Sequence, residues 1–201
     1  LYRPIDAEYL KELVYLLTDG MDQGGQDYRS TNEVDFTPTS GEAFEFPSAR
    51  TIPERLGELS AFLELPNTHP LVKAAVAQAY LMILRPFPEG NERLGRMVSN
   101  IILLRAGYTF FSEISLSALI ARKSYSYYEA MLNILREENG CDLTYFIEYY
   151  LELLSRAVEE RRLRQRQKEE RARQEEMALA RTPLMAAAVP ASDPMPPDSG
   201  R

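Results

Sequence analysis

Two apolar helical segments flank one short, turn-rich stretch, Arg85-Pro86-Phe87-Pro88-Glu89-Gly90-Asn91-Glu92-Arg93, and this arrangement constrains the fold more than any other feature of the chain. Upstream, Asn67 to Pro70 opens a helix that runs to about Leu84. Downstream, Leu94 to Arg105 is apolar on most sides through Met97-Val98 and Ile101-Ile102-Leu103-Leu104, which predicts a helix at the centre of the core. Between them Pro86, Pro88 and Gly90 turn the chain, and Asn91 is a good N-cap for the following helix. Arg93 and Arg96 then fall at that helix's start, where basic residues oppose the dipole. Backbone N–H groups, the dipole and two arginines together make a phosphate site, which would explain the placement. Pairing of the arginines with Glu89, Glu92 or other acids explains it equally well, and the residues alone do not separate the two readings.

The rest of the chain is also helical in pattern. Leu10, Leu13, Val14 and Leu17 predict an amphipathic helix from Asp6 to Asp19, stopped by Gly20. Val34 and Phe36, then Phe44 and Phe46, alternate with polar residues around Pro38 to Gly41, which predicts a short β-hairpin. Thr51 and Pro53 open a helix carrying Leu56, Leu59 and Leu63 on one face. Further helices are expected over Leu116–Arg122, over Tyr125–Glu138, and from about Asp142 onward. The last is amphipathic through Leu154 and almost wholly polar from Glu159 to Glu176. The expected division is a helical domain over 1–155, a charged helical extension over 156–181, and a disordered Pro/Ala-rich tail over 182–201.

Composition narrows the partners. The net charge of −7 over 201 residues speaks against nucleic acid, whose phosphates need clustered Lys and Arg. Leu1 to Ser155 holds 13 basic and 22 acidic residues, whereas Arg156 to Arg181 holds 9 and 6, so only the late helix is basic. The single cysteine, Cys141, excludes an intrachain disulfide, and no apolar run approaches the roughly 20 residues a membrane helix needs. No signal-peptide pattern opens the sequence, and a first residue of Leu rather than Met fits an excised fragment. A cytoplasmic setting is expected, or a host cytoplasm if the chain is a delivered effector.

The turn-rich stretch resembles the Fic family motif H-P-F-x-x-G-N-G-R-x-x-R, standing here as Arg85-Pro86-Phe87-Pro88-Glu89-Gly90-Asn91-Glu92-Arg93-Leu94-Gly95-Arg96. Tyr28-Arg29 before the hairpin, His69 to Ala75, Tyr127 to Ala130 and Asp142 to Phe146 resemble its flanks, so the likeness covers about 28–154. The resemblance implies an all-α Fic-type bundle with a short β-hairpin flap. It implies transfer of AMP from ATP, with Mg²⁺, to a hydroxyl of a target protein. On the matching positions, Glu89 would hold the metal, while Gly90, Asn91, Glu92, Arg93 and Arg96 stand in the phosphate-binding segment. Val34, Phe36, Phe44 and Phe46 would form the flap that docks a protein target, and self-association is open.

Two departures bear on that chemistry. The family's base is histidine, and Arg85 stands there; a guanidinium has no acceptor lone pair and cannot take a proton. His69, the only histidine, lies 16 residues earlier, roughly 24 Å along the same helix. It reads as a surface residue at a helix start. Glu92 replaces a glycine where phosphate approaches closely, and it carries the wrong charge. Glu92 is expected to pair with Arg85, Arg93 or Arg96 and to fill the anion site from within. Ser155 to Glu159 has the spacing of the family's inhibitory motif, but Glu160 follows it, a match that a charged helix gives by chance. The leading expectation is a degenerate Fic domain that retains nucleotide, anion or protein binding. The alternatives are an active protein adenylyltransferase or related transferase with a non-standard base, and an interaction module acting through the charged helix.

Overall fold

The computed structural model describes residues 2–186 except 22–24, 26, 33 and 37–42, and gives the backbone alone for 34–36, 43–44, 137 and 181–186. The chain divides into two compact units, Leu1–Ala157 and Val158–Arg201. In the first, the described helices are α1 (Ala7–Thr18), α2 (Ile52–Leu63), α3 (Pro70–Leu84), α4 (Asn91–Arg105), α5 (Leu116–Arg122) and α6 (Ser124–Leu135). The long α7 (Thr144–Ala186) begins in the first unit and continues through the described part of the second. The fold is all-α, with two three-residue strands, β1 (Val34–Phe36) and β2 (Ala43–Glu45), paired antiparallel with Val34 opposite Glu45. The predicted turn at Pro38–Gly41 lies outside the described residues.

Local chemistry starts the helices. Asp6 Oδ1 accepts the Tyr9 N–H at 2.8 Å and caps α1. His69 Nδ1 accepts the Leu71 N–H at 3.2 Å and caps α3, with Pro70 at the first helical position. The histidine is therefore the exposed helix-start residue that its place before proline suggests.

The centre belongs to α3 as much as to α4. Ala74, Ala75, Ala77, Gln78 and Ala79 are all fully buried, and the small alanine side chains let the two helices approach closely. Gly95 marks the tightest point, because a Cβ there would lie 3.0 Å from the Gln78 carbonyl oxygen. Around this pair pack Leu10 and Val14 of α1, Leu56 and Leu59 of α2, Tyr127 of α6, and Phe146 and Tyr150 of α7. Three buried hydroxyls are partnered: Tyr127 holds the Gln78 amide at 2.9 Å, and the Ser99 and Tyr150 hydroxyls bond each other.

Several boundaries differ from the sequence reading. Helix α4 begins at Asn91 rather than Leu94, because Gly90 takes a left-handed conformation (φ 81°) and supplies the cap position. Arg96 consequently lies in the second turn of α4, not the first. Helix α6 stops at Leu135 and a short 3-10 turn follows at Glu137–Asn139. Helix α7 is described as far as Ala186. Residues 187–201 lie outside the described residues.

Candidate functional site

The loop between α3 and α4 is built by its own backbone and two buried polar side chains. Arg85 closes α3 in a left-handed conformation (φ 44°, ψ 61°), with its N–H on the Leu81 carbonyl at 3.1 Å. That conformation costs a non-glycine residue about 1 kcal/mol, so other contacts must hold it. Arg29 does so. Its side chain is buried and donates from Nε to the Arg85 carbonyl at 2.7 Å and from Nη2 to the Leu84 carbonyl at 3.1 Å. The same guanidinium donates to the carbonyls of Thr31, before β1, and Pro47, after β2. The Arg29 N–H adds a bond to the Pro86 carbonyl at 3.0 Å.

Phe87 drops fully into the core, its ring 5.6 Å from that of Tyr28. Asn91 then clasps the loop: Oδ1 accepts the Phe87 N–H at 3.0 Å, and Nδ2 donates to the Phe87 carbonyl at 2.6 Å. Asn91 is not the N-cap that its sequence position predicts but the first residue of α4, and its side chain serves the loop behind it. Gly90 must be glycine. Its φ is +81°, and a Cβ would meet Thr18 Cγ2 at 2.8 Å.

The charged residues divide the space above the loop. Glu92, in the first turn of α4, is a resident anion that the helix dipole favours. It lies 3.4 Å from the Arg96 guanidinium, and it accepts from the Tyr128 hydroxyl at 3.1 and 3.2 Å. Of the three arginines considered from sequence, the partner is Arg96, which α-helical phase places on the same face four residues on. Glu92 is 49% exposed and Arg96 17%, and an (i, i+4) pair at a solvent-facing helix surface contributes only about 0.3–0.5 kcal/mol. Tyr128 keeps its proton, because burial and the adjacent Glu92 carboxylate push its pKa up. Arg93 turns elsewhere: it donates to the Leu17 carbonyl at 3.2 Å and to Met21 Sδ at 3.1 Å. Its cost at the start of α4 is offset at the last turn of α1, where a cation is favoured. The Arg85 guanidinium lies over the Phe46 ring, 4.8 Å from its centroid.

These groups line one cleft of about 480 Å³. Its floor is Pro88 to Arg93, and an apolar wall comes from Met82, Ile83, Met131 and Leu135. That size and mixture suit a small ligand. Two polar atoms on its walls are buried without a hydrogen-bond partner, Glu89 Oε2 and Arg96 Nε. The first amides of α4 have no intrahelical acceptor, so the helix N-terminus faces the loop with donors to spare. Among the described residues no group of three acidic, histidine or cysteine side chains converges as a metal site.

Residues 4–103 match the Fic/DOC family. The chain belongs to that family. Fic proteins typically transfer AMP or other phosphate groups to proteins. Among solved structures, the chain is similar to a Fic family protein from Desulfovibrio desulfuricans G20 at 25% identity and a TM-score of 0.69, covering 79% of this chain and 47% of that one. A Fic domain containing signalling protein from Bacteroides thetaiotaomicron matches at 21% identity and TM-score 0.59, over 78% of this chain and 61% of that one. The BepC effector protein from Bartonella tribocorum, solved with bound AMPPNP, matches at 18% and TM-score 0.51, over 76% and 75%. The chain thus spans about half the length of the first of these proteins.

On this Fic domain the structure brings Arg85, Glu89, Gly90, Asn91, Glu92, Arg93, Arg96 and Phe46 to one cleft. Val34, Phe36 and Phe44 lie in the strands, and their side chains are outside the description. Sequence reasoning gave no site role to Arg29, Tyr128 or the Met/Leu wall. Only Arg29 left a trace, as a charged residue just before a strand; Tyr128 is one of several adjacent tyrosines and nothing local distinguishes it.

Proposed function

We propose that this chain is a Fic domain that holds a phosphate-bearing ligand at the start of α4 and does not efficiently transfer AMP to a protein hydroxyl. The observation that carries the reading is Arg85 at the position where the family has its base. Its guanidinium cannot accept a proton, and it is stacked on Phe46. The loss of general-base catalysis lowers a rate by typically about 10²–10⁴-fold.

ATP with Mg²⁺ suits the groups that remain. Glu89 Oε2, buried and without a partner, would hold the metal; the amides at the start of α4 and the Arg96 guanidinium would hold phosphate oxygens. The nucleotide would supply the transferable AMP. Glu92 opposes this arrangement, since its carboxylate already sits on Arg96. An exposed (i, i+4) pair is weak, so Glu92 acts as a competitor for Arg96 rather than a seal. A protein partner would dock along the β1–β2 hairpin, whose two sides Arg29 ties to the loop.

Calorimetry with Mg-ATP tests the binding half of the proposal. The chain should bind weakly, and Glu92→Gly should tighten binding at least several-fold. Tight binding that Glu92→Gly leaves unchanged would refute the competition.

A further inference from the structure

Glu92 is the first residue after Asn91 in α4, and one weak pair with Arg96 is its only tie within that helix. The second tie comes from a different element. Tyr128, on α6, places its hydroxyl within 3.1 and 3.2 Å of both Glu92 carboxylate oxygens. A hydroxyl centred on both oxygens fixes the direction of the carboxylate, which a single contact to one oxygen does not. Neutral Tyr128 is a donor throughout the ordinary pH range, since burial and Glu92 itself raise its pKa. The ring is held by neighbours that do not depend on the hydroxyl: it lies 5.6 Å from the Tyr127 ring, and Tyr127 is fully buried and bonded to Gln78. Tyr128 is itself 39% exposed, and this ring contact orients it without calling on the hydroxyl.

We infer that Tyr128 is a positioning residue that latches the Glu92 carboxylate over Arg96, and so sets how weakly the cleft takes a phosphate-bearing ligand. This rests on the proposal that Glu92 competes for Arg96, and adds that the competition is enforced from α6. Arg96 Nη1, 3.4 Å from Glu92 Oε2, is the donor that the latch keeps from an incoming oxygen anion. The ligand class is any phosphate ester whose anionic oxygens reach Arg96 and the amides of α4.

The test is a double-mutant cycle in Mg-ATP affinity, measured by calorimetry on Tyr128→Phe, Glu92→Ala and the combined variant. Tyr128→Phe removes one oxygen and keeps the ring, and an unchanged melting temperature verifies folding. The latch predicts that Tyr128→Phe tightens Mg-ATP by roughly three- to tenfold, the worth of one net hydrogen bond. In the Glu92→Ala background the same change should have almost no effect. Tightening by Glu92→Ala but not by Tyr128→Phe would overturn the latch alone. No tightening by Glu92→Ala would overturn both the latch and the competition beneath it. An equal effect of Tyr128→Phe in both backgrounds would also overturn the latch, since it would mean that the ring contacts the ligand directly.

Discussion

Replacing Asn91 with alanine removes two hydrogen bonds at once, at 3.0 Å from the Phe87 N–H and at 2.6 Å to the Phe87 carbonyl. Asn91 is buried at 7% exposure and Phe87 at 0%, so water cannot readily take over either role. Each buried group left unsatisfied costs about 1–3 kcal/mol, so the pair should cost about 2–4 kcal/mol after partial relaxation. For a unit of this size each kcal/mol moves the midpoint by about 2–4 °C, which gives a fall of roughly 5–15 °C. Thermal unfolding by circular dichroism at 222 nm reads it. Asn91→Asp provides a control of nearly equal volume: it keeps the acceptor for the Phe87 N–H and places a carboxylate oxygen against the Phe87 carbonyl. At neutral pH it should be at least as destabilising as alanine. A loss below about 0.5 kcal/mol in Asn91→Ala would refute the claim that this side chain holds the loop, since that is the range of a plain surface change.

Gly95→Ala should destabilise by about 1–3 kcal/mol, because the new methyl must push the α3 backbone at Gln78 away from 3.0 Å; a stability equal to the parent would contradict the close packing of α3 and α4. Burial raises the pKa of Tyr150 to about 12 and raises that of Tyr127 as well. A raised folded pKa contributes stability that is whole below the usual tyrosine value of 10 and lost as pH climbs toward the folded value. Urea midpoints should therefore be flat from about pH 7 to 9 and fall above about 10, and the fall should be shallower in Tyr150→Phe. Arg29→Lys keeps the charge but offers no planar fork to four carbonyls, so hydrogen exchange should accelerate in both Leu84–Phe87 and Thr31–Pro47. Exchange that changes in only one of these segments would show that Arg29 does not couple them.

The sequence carries the site's location because the loop is punctuated by residues with few conformational options. Pro86, Pro88 and Gly90 demand a turn, and the apolar content of the segments on either side demands burial of their helices. Once the motif's resemblance places Arg85 at the base position and Glu92 at a glycine, chemistry judges them, since a guanidinium cannot accept the proton and a carboxylate repels phosphate. What local pattern cannot give is the partner of a side chain that has several within reach. Glu92 had three arginines nearby in sequence; helical phase selected Arg96, and a tyrosine 36 residues away on α6 completed the contact. Asn91 satisfied the statistics of a cap, yet a left-handed Gly90 took that position and released the side chain for Phe87. Arg29 is the clearest gap. A buried arginine spanning a hairpin and a loop, with a partner 56 residues on, leaves no periodic signal.

The central claim is that the loop keeps its ligand-holding half and lacks its proton acceptor. Transfer of label from ATP to protein, followed for the chain as it stands beside Arg85→His, Glu92→Gly and the combined variant, addresses it most directly. The account predicts no labelling above background in the parent, little in either single variant, and a gain on the order of 10²-fold or more in the combined variant, where base and phosphate approach are both restored. Robust labelling by the parent chain would contradict it.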